Sequence, residues 1–169
     1  MKVEVTFYDK KLPVGFRHQV EEICRYLLEQ EQLSGGEVNV VFCSDAYIAR
    51  LNRKYRRTKG PTDVLSFNFV EAHQLPRLRE SGQEVCLGEV YISLDRAGEQ
   101  SLKRGGSLLQ EVRRLTAHGM FHLIGFDHRS RKEELRMKLN ERKLLREVQR
   151  RQKKGGGKTY EYERPGKEL

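Results

Sequence analysis

Three histidines, His118, His122 and His128, carry the clearest chemical pattern in this chain. His118 and His122 are four residues apart, so on a helix their side chains differ by only ~40° in direction and stand ~6 Å apart along the axis. Gly125 offers a left-handed helix exit, after which Phe126 and Asp127 can turn the chain and return His128 toward the same point. Three imidazole nitrogens converging in this way suit zinc. A tetrahedral ion with three protein ligands keeps its fourth position for water or substrate, which is the catalytic arrangement rather than the closed structural one. Nickel or copper would also accept three imidazoles. The bland alternative makes two of the histidines helix-face residues and the third a turn residue. The clustering of three of the five histidines within residues 118–128 favours the metal. His18 and His73 read as a helix-surface and a loop residue.

The spacing His-x3-His-x2-Gly-x2-His is shared with metzincin proteases, in which a glutamate follows the first histidine and activates water. Here that position is Gly119, and Met137 falls in another helix rather than in a Met-turn. A metzincin-like zinc peptidase is therefore demoted. Glu111 lies seven residues before His118 and so on the same helical face. It either orients a ligand imidazole or is a solvated helix residue.

The histidines need a helix, and the sequence supplies one: Ser107 caps a segment in which Leu108, Val112, Leu115 and Phe121 recur at helical spacing. Val3, Val5 and Phe7, and later Val38, Val40 and Phe42, alternate as half-buried strands do. Between them Val20, Ile23, Cys24, Leu27 and Leu28 form an amphipathic helix that leaves through Ser34-Gly35-Gly36. Ser44 or Asp45 caps a helix bearing Ile48, Leu51 and Tyr55, which ends in the basic turn Arg56 to Pro61. Val64 to Phe69 and Val85 to Ile92 are two more strands, and the polar stretch Glu71 to Glu84 between them reads as a mobile loop. Ser93 or Asp95 starts a short helix that Gly105-Gly106 breaks. Arg131 to Gln149 reads as a final helix with Leu135, Leu139, Leu145 and Val148 on one side. The expected fold is a single α+β domain over residues 1–150, with a small, about four-stranded mixed sheet, surrounding helices and the metal site on a helix-turn. A basic, Gly-rich flexible tail is expected over 151–169.

At 169 residues and 37% hydrophobic content the chain suffices for one core. No apolar run approaches the ~20 residues that span a bilayer, and the N-terminus alternates apolar and charged residues instead of building a signal peptide. A cytoplasmic protein without membrane association is expected. Cys24, Cys43 and Cys86 lack any Cys-x-x-Cys pairing and read as reduced core thiols. The net charge of +9 would attract a polyanion such as RNA, although Arg142 to Lys158 concentrates much of the surplus and a solvated basic surface is the competing reading.

The stretch His118-Gly119-Met120-Phe121-His122-Leu123-Ile124-Gly125-Phe126-Asp127-His128 resembles the signature of the YbeY family of bacterial rRNA maturation factors. Two further blocks occur in the family's order: Leu51-Asn52 to Tyr55-Arg56 followed by Pro61-Thr62-Asp63-Val64-Leu65-Ser66-Phe67, and Leu87-Gly88-Glu89-Val90-Tyr91-Ile92. Phe121 and Phe126 stand where the family has Leu and Tyr, Asn68 where it has Pro, and Arg57-Thr58-Lys59 where it has Gly-Lys-Asp. The resemblance implies a zinc-dependent, single-strand-specific endoribonuclease in rRNA maturation (16S rRNA 3′ end processing) and ribosome biogenesis. It implies one Zn2+ on His118, His122 and His128, with His118 and Arg56 in catalytic roles. RNA, the pre-ribosomal small subunit and ribosome-assembly proteins are the implied partners. By its own sequence context Arg56 is an ordinary surface arginine beside a turn, and only the resemblance gives it the phosphate. Arg57, Lys59 and the basic C-terminal helix would extend a phosphate track. Tyr55 and Phe69 either stack bases or pack in the core. A different class of function is a ribosome-assembly or RNA-binding factor whose zinc is structural.

Overall fold

The computed structural model describes residues 1–127 and 130–154. The chain runs β1 (Lys2–Phe7), α1 (Phe16–Gln30), β2 (Gly36–Cys43), α2 (Asp45–Leu51), β3 (Val64–Asn68), α3 (Leu75–Ser81), β4 (Val85–Ser93), α4 (Leu94–Lys103), α5 (Leu108–Leu123) and α6 (Arg131–Lys154). The strands form one mixed sheet in the order β1-β2-β4-β3. β1 with β2 and β2 with β4 are parallel, while β3 runs antiparallel to β4 at the edge. This is the small α+β domain expected from the alternating strand and helix patterns.

The two sheet faces are covered unequally. On one, Val38, Val40 and Phe42 of β2 meet the apolar stripe of α1 and the helices α5 and α6 in the main core. α5 is the centre of that layer, packed against β3, β4, α1, α4 and α6. Leu115, Met120 and Leu123 on it have no exposed surface. Burial of each such side chain contributes ~1.5–3 kcal/mol, which holds the histidine-bearing helix in one register. The opposite face carries a smaller cluster of Cys43, Ile48 and Leu65, flanked by Tyr47, Leu51, Phe67 and Tyr91.

Several expectations are corrected. The stretch from Glu71 to Glu84 is not a bare loop: it holds a 3-10 turn at Ala72–Gln74 and then α3, anchored by the buried Leu75. Glu71 and Gln74 form a reciprocal capping box, and Pro76 sits in the first turn of α3, where its missing N–H costs nothing. On α6, Leu135 and Leu139 point to solvent, and Met137, Glu141, Leu144 and Val148 make the buried face. That helix continues to Lys154, so the boundary expected at residue 150 falls inside it. The remainder of the expected tail, residues 155–169, lies outside the described residues. Cys24 and Cys43 are buried, which pushes both thiols up to about 12, but Cys86 is exposed. Tyr55 and Phe69 are exposed as well rather than core residues. Among the described residues no helix is long and apolar enough to cross a membrane.

Candidate active site

Both ends of α5 are fixed by local chemistry. At its start Ser107 Oγ accepts from the Gln110 N–H at 3.2 Å while Gln110 Oε1 accepts from the Ser107 N–H at 2.9 Å, a capping box. At its end Gly125 takes φ 89°, a left-handed conformation that a side chain would strain. The Phe126 N–H then reaches the Phe121 carbonyl at 3.0 Å and the Gly125 N–H reaches that of His122 at 3.1 Å. These two bonds define a Schellman motif, and its accompanying apolar contact is present between the Phe121 and Phe126 rings, 5.1 Å apart and nearly perpendicular. The two phenylalanines that depart from the family pattern are thus partners in one contact. Asn68 Nδ2 donates to the carbonyls of His122 and Leu123 at 3.0 and 3.2 Å, tying the last turn of α5 to the edge strand β3. The motif turns the chain so that Gly125, Phe126 and Asp127 line the same cleft as the histidines.

Within that cleft the Nε2 atoms of His118 and His122 lie 3.2 Å apart, with ring planes at 79°. Two nitrogens each ~2.0–2.1 Å from a tetrahedral zinc are separated by ~3.3–3.4 Å, so the pair already has the bite of such a site. His118 Nδ1 and Glu141 Oε1 are in hydrogen-bond contact at 2.8 Å. With Nδ1 engaged by the carboxylate, the Nε2 edge of His118 is the one turned toward His122 in the cleft. Glu141 is itself buried, with 8% of its side chain exposed. His128 lies outside the described residues. Among the described residues no set of three His, Cys, Asp or Glu side chains is assembled for a metal.

The carboxylate beside His118 therefore comes from α6 and not from Glu111. Glu111 is buried too, but its Oε1 accepts from Arg114 at 2.9 and 2.6 Å and its other oxygen lies 3.7 Å from Arg104. Glu141 lies on the buried face of α6 with Met137, Leu144 and Val148, whereas of the expected apolar positions Leu135 and Leu139 face solvent. Only the 23-residue separation closed by packing α6 on α5 reveals the pairing.

Gly119 does more than lack a carboxylate. A Cβ there would lie 2.3 Å from Val90 Cγ1, and the Gly119 carbonyl accepts from Ser66 Oγ at 3.0 Å. This face of α5 is pressed on the sheet, so a side chain at 119 has no room without displacing Val90.

Arg56 ends a π-helical turn, Asn52–Arg56, that continues α2. The turn is closed by Asn52 Nδ2 donating to the Gly60 carbonyl at 3.0 Å and by Arg57 in a left-handed conformation with φ 55°. Single π-turns of this kind recur where a helix must re-aim a side chain. Here Arg56 Nη2 donates to the Ser66 carbonyl of β3 at 3.2 Å, which lays the guanidinium along the rim of the cleft. The cleft, of about 640 Å3, brings Arg56, Ser66 and Asn68 together with His118, His122 and Asp127. It combines a cation with two imidazoles.

A family model described as Endoribonuclease YbeY matches residues 4–149 of this chain. The chain belongs to the YbeY family. The match includes every element that lines the cleft, together with Glu141. Curated relatives named Endoribonuclease YbeY include one from a Thermoanaerobacter species, 36% identical over 143 residues, covering 81% of this chain and 90% of the relative. Another, from Pelotomaculum thermopropionicum, is 44% identical over 110 residues and covers 65% and 70%. A third, from Bacillus licheniformis, is 31% identical over 146 residues and covers 85% and 92%. Among solved structures, the solution structure of a Thermotoga maritima protein has the same fold, with TM-score 0.61 at 24% identity over 98% of this chain and 99% of that one.

Proposed function

We propose that this YbeY-family chain is a zinc-dependent endoribonuclease for single-stranded RNA. Its substrate in this reading is ribosomal RNA, at the 3′ end of 16S rRNA within the pre-ribosomal small subunit, in the cytoplasm and alongside ribosome-assembly proteins. His118, His122 and His128 are the proposed ligands of one Zn2+. The observation that supports this reading most is the His118–Glu141 pair, with the two Nε2 atoms at 3.2 Å. A ligand histidine commonly gives its second ring nitrogen to a carboxylate that fixes its tautomer and ring direction, and a buried carboxylate holds that place beside His118.

When bound, zinc supplies Lewis acidity toward a phosphoryl oxygen or a water. The remaining work falls to this chain's own groups. Glu141 holds the Nδ1 proton of His118, which keeps Nε2 basic and aimed into the cleft. The Schellman turn and Asn68 hold the end of α5 so that His122 keeps its place. Arg56, on the rim, neutralises charge that grows on the non-bridging oxygens of the scissile phosphate, where a planar guanidinium can make paired hydrogen bonds. Ser66 and Asn68 line the cleft wall along β3, where a single strand can lie extended.

A peptidase of the metzincin kind is disfavoured because the sheet occupies the place of its glutamate at Gly119. The deciding experiment measures cleavage of a single-stranded rRNA fragment by metal-analysed wild type, His118→Ala, His122→Ala and Arg56→Ala, with circular dichroism checking the fold of each. Stoichiometric zinc in the wild type and lost cleavage in all three folded variants are expected. Undiminished cleavage by the histidine variants would expose a contaminating nuclease and leave an RNA-binding assembly factor with structural zinc as the better reading.

A further inference from the structure

A second concave surface, about 450 Å3, lies between α4, the start of α5 and α6, on the far side of Arg114 from the cleft. Five arginines line it: Arg104, Arg113, Arg114, Arg142 and Arg146. Glu111 is the one carboxylate among its lining residues, and it is already engaged by Arg114 and Arg104. Among the described residues Arg113, Arg142 and Arg146 have no carboxylate partner.

Arg113 is the telling member. It is half-buried, and among the described residues its guanidinium donates to the Leu145 carbonyl at 3.3 Å. Burial holds its guanidinium below the usual arginine range, and no anion offsets the desolvation. A guanidinium stays protonated under such conditions, so a desolvated cation is kept at the floor of a basic groove. Folding gains little from that arrangement. A bound anion would gain much, because a partly dry site strengthens its attraction to the fork of N–H groups.

The groove also has a direction. The crevice between α5 and α6 is bridged by His118–Glu141 at one point and by Arg113–Leu145 at another. Five residues on α5 separate the two, ~7.5 Å along the axis. Arg114 sits at the boundary, reaching Asp63 of the cleft at 3.7 Å while lining the groove. Arg114 thereby links the wall of the cleft to the groove.

We propose that this arginine groove binds the phosphate backbone of the RNA strand flanking the segment in the cleft, as a non-catalytic anchoring site. The inference rests on the endoribonuclease reading above, and it adds where the strand goes beyond the cleft. Anchoring of this kind contributes affinity without reading sequence.

The test uses the full chain and two single-stranded RNA oligonucleotides, one of about 4 nucleotides that fills the cleft alone and one of about 16 that reaches beyond it. Binding is followed by fluorescence anisotropy at several salt concentrations for the wild type, for Arg142→Gln/Arg146→Gln, and for a charge-matched control, Lys11→Gln/Arg77→Gln, at exposed sites elsewhere. Arg142 and Arg146 are exposed, and circular dichroism checks that the fold survives their loss. The groove variant is expected to bind the long oligonucleotide roughly tenfold more weakly, with a log–log salt slope shallower by about 1.4, or ~0.7 per lost phosphate contact. Its binding and cleavage of the short oligonucleotide stay at wild-type level, and the control matches wild type throughout.

Unchanged affinity of the groove variant for the long oligonucleotide, with the wild type still cleaving both, overturns the groove and leaves the nuclease reading intact. An equal loss in the control shows a diffuse field instead of a site and also overturns it. Poly-glutamate that binds wild type as tightly as RNA, and loses that binding in the groove variant, assigns the surface to an acidic protein instead. Wild type that neither binds nor cleaves either oligonucleotide overturns both readings.

Discussion

Glu111 and Glu141 are two buried helix carboxylates with opposite employment. Glu111, 4% exposed, faces Arg114 and Arg104. Glu141, 6% exposed, faces the Nδ1 of His118. Burial of an acid is thus not by itself a mark of function. Two arginines compensate the first charge permanently, and that makes it part of the scaffold joining α4 to α5. The second faces an imidazole whose other nitrogen lies 3.2 Å from His122 Nε2 in the cleft, the placing by which a carboxylate orients a ligand histidine. Glu111 is a structural carboxylate, and Glu141 is the one placed to position His118.

Removing the imidazole itself has the largest expected effect. His118→Ala should bring RNA cleavage down to background and abolish stoichiometric zinc, as measured by single-turnover kinetics and metal analysis, while the far-ultraviolet spectrum stays native. Next in size is Glu141→Gln, which keeps the shape but loses the charge. Zinc affinity should fall by ~10–100-fold, read by competition with a chelator dye, and cleavage should recover at saturating zinc. A third variant asks whether position 119 could house a different carboxylate. Even the small Gly119→Ala must push Val90 aside, so urea unfolding should register a loss of ~1–3 kcal/mol. Glu111→Gln should have the smallest effect, costing ~1–2 kcal/mol in the same unfolding measurement because Arg114 still holds Asp63 and Gln100. Its zinc affinity should match wild type.

The partners of the two glutamates are set by packing between helices, whereas other features follow from local geometry. Sequence spacing is enough to put His118 and His122 on one helix face and to make Gly125 a left-handed exit, because both follow from local geometry. The strands β1 and β2 and the helix α1 are legible for the same reason, through clean periods of two and 3.6 residues. Glu141 was not legible. It lies on the buried face of α6, but an acid there looks like a surface residue, and Leu135 and Leu139 suggested the wrong face. Glu111 shared the helix of His118 at a suitable spacing, yet an arginine one turn away claimed it. The segment 71–84 failed differently: its polar composition hid a capping box, Glu71 with Gln74, and a proline in the first turn of α3, both local signals of a helix start. Asn68 was visible only as a departure from the family pattern, and its purpose needed the end of α5 beside it.

The most direct measurement is a calorimetric zinc titration of wild type, Glu141→Gln and Glu111→Gln side by side, with each protein shown to be folded. One site is expected in all three, weakened by ~10–100-fold in Glu141→Gln alone. Equal affinity in Glu141→Gln and wild type, or an equal weakening in both variants, would contradict it and remove the basis for treating the His118–Glu141 pair as part of a metal centre.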